Sequence, residues 1–232
     1  MNKDKITPEP GVLLWDIDGT LLRVKREDSS SPHKSVLKYQ GFIFKDSDTR
    51  LSGRTDFEIL LELTKETSEC IDKGIFLPVF KALDKESSKL DKISTFDLLP
   101  GVVDMLRRLT SKGWKHGVLT GNTLARLKAK IKKSGIADFF TPEFLFGCEF
   151  GDSRENIANK AQQYLSKSGE TKVFILGDTP HDIIAARSSF LPVISVATGD
   201  YSFEELSSHN PDLLLRDLCV DAYALINFLE KT

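Results

Sequence analysis

The sequence predicts an α/β fold in which a doubly wound parallel sheet carries an inserted helical segment. Three observations support this fold class. Short apolar runs recur along the chain, helical patterns separate most of them, and one long stretch contains helical patterns alone. Strands that alternate with helices favour a parallel sheet whose two faces are both covered by helices.

Continuous apolar runs predict the strands, because a parallel sheet that is covered on both faces buries every side chain of its central strands. These runs are residues 12–15, 117–120, 173–176, 193–197 and 212–215. Helices are predicted at residues 102–112, 124–134, 155–167, 182–189 and 220–231. In the first helix, apolar residues recur at helical spacing directly after Pro100 and Gly101.

Residues 22–99 interrupt this alternation. We find no strand-like run there, and helices are predicted at 35–40, 56–66 and 75–90. This stretch has the length of a small domain. We therefore predict a core domain formed by residues 1–21 and 100–232, and a helical cap formed by residues 22–99. The hinges are predicted at 25–33 and 94–100.

The composition is that of an ordinary globular chain, with 40% hydrophobic and 28% charged residues among 232. A net charge of −2 gives no general attraction to nucleic acid or to an anionic membrane, and the basic cluster at 128–133 is interpreted as a solvated helix face. No stretch approaches the roughly 20 apolar residues of a membrane span. The polar N-terminus lacks the apolar core of a signal peptide.

The cysteines indicate a reducing compartment. Cys70, Cys148 and Cys219 are far apart, and neither metal-ligand nor redox spacing relates them. We interpret them as ordinary thiols and expect a cytoplasmic protein. The sequence makes no prediction of the oligomeric state.

Two carboxylates follow the first predicted strand, in the hexapeptide Asp16-Ile17-Asp18-Gly19-Thr20-Leu21. Ligands of open α/β sheets bind at the carboxyl ends of strands, and Gly19 permits a sharp turn there. A carboxylate at this place is able to attack phosphorus, and a second one is able to protonate a leaving oxygen and later activate water. The alternative is a polar turn with a capping aspartate.

Thr120 ends the second predicted strand and precedes Gly121 and Asn122, which open a helix. A hydroxyl and backbone N–H groups at a helix N-terminus form a cradle for phosphate. We therefore predict a phosphate-binding role for all three residues. The alternative is that Thr120 serves only as a helix cap.

A third polar motif, Gly177-Asp178-Thr179-Pro180-His181-Asp182, follows the strand at 173–176. Carboxylates at a strand end suit Mg²⁺, which prefers a few oxygen ligands completed by phosphate and water. Asp182 is predicted to lie near this ion or to cap a helix. At a helix N-terminus, its negative charge would interact favourably with the helix dipole. His181 is interpreted as a neighbour and not as a ligand.

Taken in order, these motifs resemble those of the haloacid dehalogenase-like (HAD) superfamily. The resemblance covers residues 11–24 and 99–229, and the segment 195–206 is similar to the phosphoglycolate phosphatase-like branch. It implies a HAD-like Rossmannoid core and a Mg²⁺-dependent phosphatase in which Asp16 is the nucleophile and Asp18 the general acid/base. The implied metal site consists of Asp16, the backbone carbonyl of Asp18, and Asp178, with Asp182 close by.

A cation is expected to offset the charge of the transferred phosphoryl group. Most relatives have a lysine soon after the third strand of the family's fold, at the start of a helix. The matching region of this chain is 146–156, and Arg154 stands at the predicted helix start there. Arg154 is therefore the predicted site cation. Lys160, nearly two turns into the helix, is the alternative.

The insert contains Gly53-Arg54-Thr55-Asp56, a turn that enters a predicted helix. It could direct Arg54 at a substrate anion, and the alternative is an exposed arginine beside a capped helix. The predicted substrate is a small phosphorylated metabolite, phosphoglycolate-like or a sugar phosphate. A phosphomutase and a non-catalytic phosphate-binding protein are the competing functions. Asp18 and Asp178 argue against a dehalogenase, which needs neither a proton donor nor a metal.

Overall fold

A computed structural model describes residues 10–24, 32–45, 50–64, 73–89 and 96–232 of the chain. Within them, eight strands are present: β1 (Val12–Trp15), β2 (Leu22–Val24), β3 (Phe96–Leu98), β4 (Lys115–Leu119), β5 (Phe140–Phe146), β6 (Val173–Gly177), β7 (Val193–Val196) and β8 (Leu213–Leu215). The helices of the described residues are α1 (Pro32–Tyr39), α2 (Asp56–Thr64), α3 (Leu77–Lys89), α4 (Val102–Ser111), α5 (Leu124–Lys133), α6 (Arg154–Lys167), α7 (Pro180–Ser188), α8 (Phe203–Ser207) and α9 (Ala222–Lys231).

Six strands form one parallel sheet in the order β5-β4-β1-β6-β7-β8. Strand β1 lies between β4 and β6, and all four of its residues are buried. Leu13 and Trp15 enter the apolar core on one face of the sheet, while Val12 and Leu14 enter the core on the other face. The predicted fold class, a parallel α/β sheet covered on both faces, is confirmed.

Strand β5 was not predicted by the apolar pattern. Its middle residues Pro142 and Glu143 are exposed, so no continuous apolar run marks it. The pairing of β4 with β5 also contains a register shift between His116 and Val118. A strand at the edge of a sheet is buried along only part of its length, which explains why this pattern failed here.

The prediction that residues 22–99 contain no strand is wrong. Strands β2 and β3 pair antiparallel, with Leu22 opposite Leu98, and form a separate two-stranded ribbon where the insert leaves and rejoins the sheet. Each strand has three residues, which is too short to produce a recognisable apolar run.

The insert has an apolar core of its own, to which α1, α2 and α3 contribute Val36, Leu37, Phe57, Ile59, Leu60, Leu63, Val79 and Leu83. The predicted helices at 35–40, 56–66 and 75–90 correspond to α1, α2 and α3. Most of the first predicted hinge, the start of the second, and Cys70 lie outside the described residues. Among the described helices, none combines the length and the apolar character that crossing a membrane requires.

Candidate active site

Three neighbouring strands bring the predicted motifs to one edge of the sheet. Asp16 follows β1, Thr120 follows β4, and Asp178 follows β6. The strand ladders continue into these residues: the Asp16 N–H donates to the Leu176 carbonyl at 2.8 Å, and the Thr120 N–H donates to the Phe146 carbonyl at 3.0 Å. All three side chains are buried. The parallel sheet therefore assembles residues that are up to 162 positions apart (178 − 16).

The turn after β1 fits closely around Asp178. Gly19 has a φ of +95°, and a Cβ at this position would lie 2.3 Å from Oδ2 of Asp178. The hydroxyl of Thr20 donates to Oδ1 of Asp178 at 2.9 Å. On the other side, a Cβ on Gly199 would lie 1.7 Å from the same Oδ2. Two glycines thus leave the space that this carboxylate occupies.

Arg154 joins the first and third motifs. Its Nη1 donates to Oδ1 of Asp16 at 2.9 Å, and its Nη2 donates to Oδ1 of Asp182. The side chain is 2% exposed. Arg154 is the first residue of α6, whose N-cap is Ser153, whereas Lys160 is exposed on the same helix. Of the two predicted cations, the structure brings Arg154 to Asp16.

Asp18 has a different set of partners. Lys130 donates from Nζ to Oδ2 of Asp18, and the Asn122 amide donates to the same oxygen at 3.1 Å. Lys130 also donates to Oδ1 of Asn122 at 2.9 Å, and the Asn122 amide donates to Oγ1 of Thr120 at 2.9 Å. Asp18 is therefore linked through Asn122 to Thr120, at the end of β4.

The carboxylates have contrasting electrostatic environments. Burial raises the pKa of Asp16, against the opposing charge of Arg154. Burial and the negative charge of Asp16 hold the pKa of Asp178 well above its usual range. Burial acts to raise the pKa of Asp18, but the charge and hydrogen bond of Lys130, together with the charge of Arg126 and the hydrogen bond from Asn122, lower the pKa overall. Asp16 and Asp178 are thus a mutually repelling pair that a cation would stabilise.

This donor set fits Mg²⁺ in chemical type. Asp16 and Asp178 offer carboxylate oxygens at adjacent strand ends, and the backbone carbonyl of Asp18 lies in the intervening turn. In the described part of the chain, no group of three or more His, Cys, Asp or Glu side chains is arranged to hold a metal alone. A magnesium ion here would therefore also need the carbonyl, water and a phosphate oxygen.

Asp182 is engaged with the protein. Its Oδ2 accepts from the N–H of Thr179 at 3.0 Å, and its own N–H donates to the Thr179 hydroxyl oxygen at 3.4 Å, which forms a capping box with Thr179 as the N-cap of α7. Oδ1 of Asp182 accepts from Arg154. Asp182 thus supports the start of α7 and orients Arg154. Its role near a metal stays a prediction.

The turn that contains Arg54 contacts the core at this edge. A Cβ on Gly53 would lie 2.4 Å from Oγ1 of Thr179, and a Cβ on Gly121 would lie 2.3 Å from the Arg54 carbonyl oxygen. The Arg54 side chain is partly buried, and its Nη1 lies 3.8 Å from Oε2 of Glu62. Its Nε is buried and has no hydrogen-bond partner among the described residues. Burial lowers the pKa of His181, and the charges of Arg54 and Arg154 lower it further. Arg54 therefore lies close to the third motif.

Helix α2 begins at this contact, where Thr55 and not Asp56 is the cap. The Thr55 hydroxyl accepts from the Glu58 N–H at 3.1 Å, and the Glu58 carboxylate accepts from the Thr55 N–H at 2.8 Å. Asp56 instead contacts the core helix α5: it accepts from Arg126 and, at 3.2 Å, from the N–H of Thr123. It also lies 2.8 Å from Nε2 of His33 in α1.

Lys130 was not predicted as a site residue, because it belongs to the basic cluster at 128–133 that was interpreted as a solvated helix face, and no motif singled out Arg126 on the same helix. That interpretation is wrong for Lys130, which is 4% exposed, although Lys128 and Lys132 are exposed. The available signal was the four-residue spacing, which places Arg126 and Lys130 on one face of α5.

The fold and this edge of the sheet define a class of α/β protein that carries a pair of buried aspartates at the carboxyl ends of adjacent parallel strands. A family model described as haloacid dehalogenase-like hydrolase matches residues 13–196 of the chain. The chain belongs to the haloacid dehalogenase-like hydrolase family, as the sequence motifs predicted.

Relatives of assigned function are phosphatases and pyrophosphatases. Pyrophosphatase PpaX of Bacillus pumilus is 22% identical over 209 residues, which cover 89% of this chain and 92% of that protein. Phosphoglycolate phosphatase of Synechococcus elongatus is 26% identical over 127 residues, 54% of this chain and 58% of that protein. The predicted enzyme class, a phosphatase-type hydrolase, is the class of these relatives.

Solved structures share the fold. A predicted phosphatase from Clostridium acetobutylicum has a TM-score of 0.68 at 20% identity and aligns with 94% of this chain and 99% of its own. A protein from Bacteroides vulgatus, provisionally assigned as a beta-phosphoglucomutase, has a TM-score of 0.69 at 18% identity. The alignment covers 98% of this chain and 93% of that protein.

Proposed function

We propose that this chain is a Mg²⁺-dependent phosphatase that hydrolyses a small phosphorylated metabolite through an aspartyl-phosphate. The observation that carries the proposal is the arrangement around Asp16. This buried carboxylate lies at the centre of the sheet edge, contacts Arg154 at 2.9 Å, and is flanked by Thr120 and Asp178 on the adjacent strands.

In the first half of the reaction, a carboxylate oxygen of Asp16 attacks phosphorus, and the bond from phosphorus to the leaving oxygen breaks. Asp18 delivers a proton to that oxygen. Arg154 offsets the charge on the nucleophile and on the transferred group, while the Thr120 hydroxyl and the N–H groups of Gly121 and Asn122 bind phosphoryl oxygens.

In the second half, water attacks the phosphorus of the aspartyl-phosphate, Asp18 accepts a proton from that water, and Asp16 is released as a carboxylate. Asp16, Asp178 and the carbonyl of Asp18 would hold Mg²⁺, with Asp182 beside them. When bound, the ion would offset negative charge in the site.

The insert is proposed as a cap that selects the substrate. Residues 22–99 follow the nucleophile directly, and the turn at Arg54 packs on the third motif. A cover of this kind excludes water and favours small metabolites over macromolecules. Phosphoglycolate-like compounds and sugar phosphates are the proposed substrates, and diphosphate joins them because of the pyrophosphatase relative. A cytoplasmic location is part of the proposal, and Cys219, an exposed free thiol, supports it.

Measurement of phosphate release from a panel of phosphorylated metabolites and diphosphate tests the proposal. Activity should require Mg²⁺ and disappear in excess chelator. Asp16→Asn should abolish turnover with the fold retained, because an amide is nearly isosteric with a carboxylate but is a poor nucleophile. Asp104→Asn, at a side chain that is 60% exposed on α4, is the matched control and should be fully active. Full activity in chelator, or in folded Asp16→Asn protein, would contradict the proposal.

Two other functions make different predictions in the same assay. A phosphomutase would return the phosphoryl group, so ³¹P NMR would detect an isomer of the substrate instead of inorganic phosphate. A non-catalytic binding protein would retain a phosphorylated ligand without releasing phosphate under any metal condition.

A further inference from the structure

Lys130 is a buried lysine that contacts Asp18 and is not part of the three motifs. We propose that Lys130 is a positioning residue, which holds the Asp18 carboxylate in place to accept a proton from water when the aspartyl-phosphate is hydrolysed. This inference rests on the proposed phosphatase function and assigns a residue to its second half.

The contacts of Lys130 fix one oxygen of Asp18. Lys130 and Asn122 both donate hydrogen bonds to Oδ2, and they also bond to each other at 2.9 Å. The three side chains therefore form a closed triangle, which restricts rotation of the carboxylate. Among the described residues, hydrogen bonds to this carboxylate reach Oδ2 alone. Oδ1 is left to accept a proton.

Lys130 reaches Asp18 from the interior of the protein. Its side chain is 5% exposed, whereas that of Asp18 is 41% exposed. The accessible side of Asp18 is thus available to water and substrate, while Lys130 lies behind it. Lys130 consequently acts through Asp18 and has no direct contact with the reacting atoms.

Helix α5 is firmly anchored, so Lys130 has a defined position. Thr123 caps the helix by accepting from the Arg126 N–H, and Leu127 and Ile131 pack in the main apolar core. One turn before Lys130, Arg126 contacts Asp56 of the insert. The anchored helix fixes the backbone of Lys130, so the entropy cost of its contact with Asp18 is confined to its side chain.

The two halves of the reaction place different demands on Asp18. Two donors on Oδ2 match a carboxylate that accepts hydrogen bonds, which is the form needed to take a proton from water. In that step the water O–H bond breaks, its proton moves to Oδ1 of Asp18, and the new oxygen–phosphorus bond displaces Asp16. Loss of Lys130 should therefore slow hydrolysis of the aspartyl-phosphate more than its formation.

The test separates these two steps with p-nitrophenyl phosphate and Mg²⁺. Rapid mixing gives p-nitrophenolate release in the first turnover, and acid quenching followed by intact-protein mass spectrometry gives the amount and the decay rate of phosphoenzyme. Lys130→Met should slow phosphoenzyme decay by about 100-fold, the size of a typical general-base contribution. The first-turnover release should change much less. Phosphoenzyme should then accumulate.

Three further variants complete the experiment. Lys128→Met makes the same change at an exposed position of α5 and should behave like the wild type. Lys130→Arg keeps a donor and a charge and should recover part of the decay rate. Lys130→Gln is a second neutral replacement that retains a polar head, and it takes the place of Lys130→Met if the latter does not fold.

The outcomes distinguish this inference from the proposed function. A wild-type protein that neither releases phosphate nor forms phosphoenzyme overturns the proposed function itself. An active wild type with equal slowing of both steps in the Lys130 variants would show a merely structural role. Slowing of the first step alone would place Lys130 with formation of the phosphoenzyme. Either result, or unchanged kinetics, overturns the assignment of Lys130 to the second half.

Discussion

Two buried arginines occupy comparable positions in different regions of the molecule. Arg154 connects Asp16 with Asp182 at the sheet edge, and Arg126 pairs with Asp56 between α5 and the insert. Arg154 occupies a motif position at the start of a helix after a strand, and the sequence analysis identified it. Arg126 is part of a basic helix, and its partner comes from the insert. Motifs therefore indicate the residues of the chemistry, but they do not indicate which residues hold the insert on the core.

The two arginines also differ in what their removal should change. Arg154 lies among groups that the proposed reaction uses, so its loss should appear mainly in the rate. Arg126 fixes Asp56, which also lies beside His33, so its loss should appear mainly in stability. A buried ion pair adds little net stability, but removal of one partner leaves an uncompensated charge in the interior.

The largest expected effect concerns stability. Arg126→Met should lower the free energy of unfolding by about 3–5 kcal/mol, because the Asp56 carboxylate stays buried without its main cation. Urea denaturation followed by circular dichroism measures this change. The double variant Arg126→Met with Asp56→Asn should lose less than the sum of the single variants, since no buried carboxylate is left without a cation. Additive losses would show that the two side chains do not act as a pair.

A second prediction concerns the rate. Arg154→Ala should lower kcat/KM for phosphate release by about 100- to 1,000-fold, as the loss of one preorganised donor in an active site often does. Lys160→Ala should have little effect, because Lys160 is exposed on the same helix. Steady-state kinetics on folded variants provides the comparison. The reverse ranking would mean that the site cation was assigned wrongly.

The sequence predicted the parts of the molecule that local patterns determine. Apolar runs predicted five of the six strands of the parallel sheet, and the polar residues after three of these strands predicted where the candidate site lies. Strand β5 was not predicted because exposed residues interrupt its apolar run. Strands β2 and β3 were not predicted because each has only three residues. Their pairing depends on contacts between distant segments.

The role of the basic helix could not be predicted for a similar reason. Exposed and buried lysines alternate within a few residues of α5, and composition alone does not distinguish them. Lys130 is buried because Asp18, 112 residues earlier in the chain, lies opposite it. Only the folded arrangement of β1 and α5 creates this contact.

A third prediction tests a buried histidine in the core, away from both arginines. The Trp15 indole N–H donates to Nδ1 of His116 at 3.0 Å, so the imidazole is neutral with its proton on Nε2, which faces the Thr110 hydroxyl at 3.1 Å. Burial lowers the pKa of His116 from 6.5 to about 4. Between these pH values the unfolded chain binds a proton that the folded chain does not, so stability falls as the pH falls.

This contribution should amount to about 3 kcal/mol between pH 6.5 and pH 4, at about 1.4 kcal/mol for each pH unit. Replacement by a residue that does not titrate, His116→Gln, should cost stability at pH 7. Its deficit relative to the wild type should shrink as the pH approaches 4. His209→Gln makes the same change at an exposed histidine and is the matched control. A constant deficit for His116→Gln would refute the lowered pKa. Urea titrations at several pH values give the comparison.

The smallest expected effect concerns specificity, and it tests the insert as a cap. Arg54 lies near His181 of the third motif and its side chain is 27% exposed, so its positive charge is available to an anionic part of the substrate. Arg54→Ala should lower kcat/KM for the preferred metabolite by about tenfold, the effect of one lost hydrogen bond to a charged group. Hydrolysis of p-nitrophenyl phosphate should change much less.

Arg50→Ala is the matched control, because Arg50 lies near the same turn but pairs with Glu205. Equal losses on both substrates, or the same loss in Arg50→Ala, would remove Arg54 from recognition.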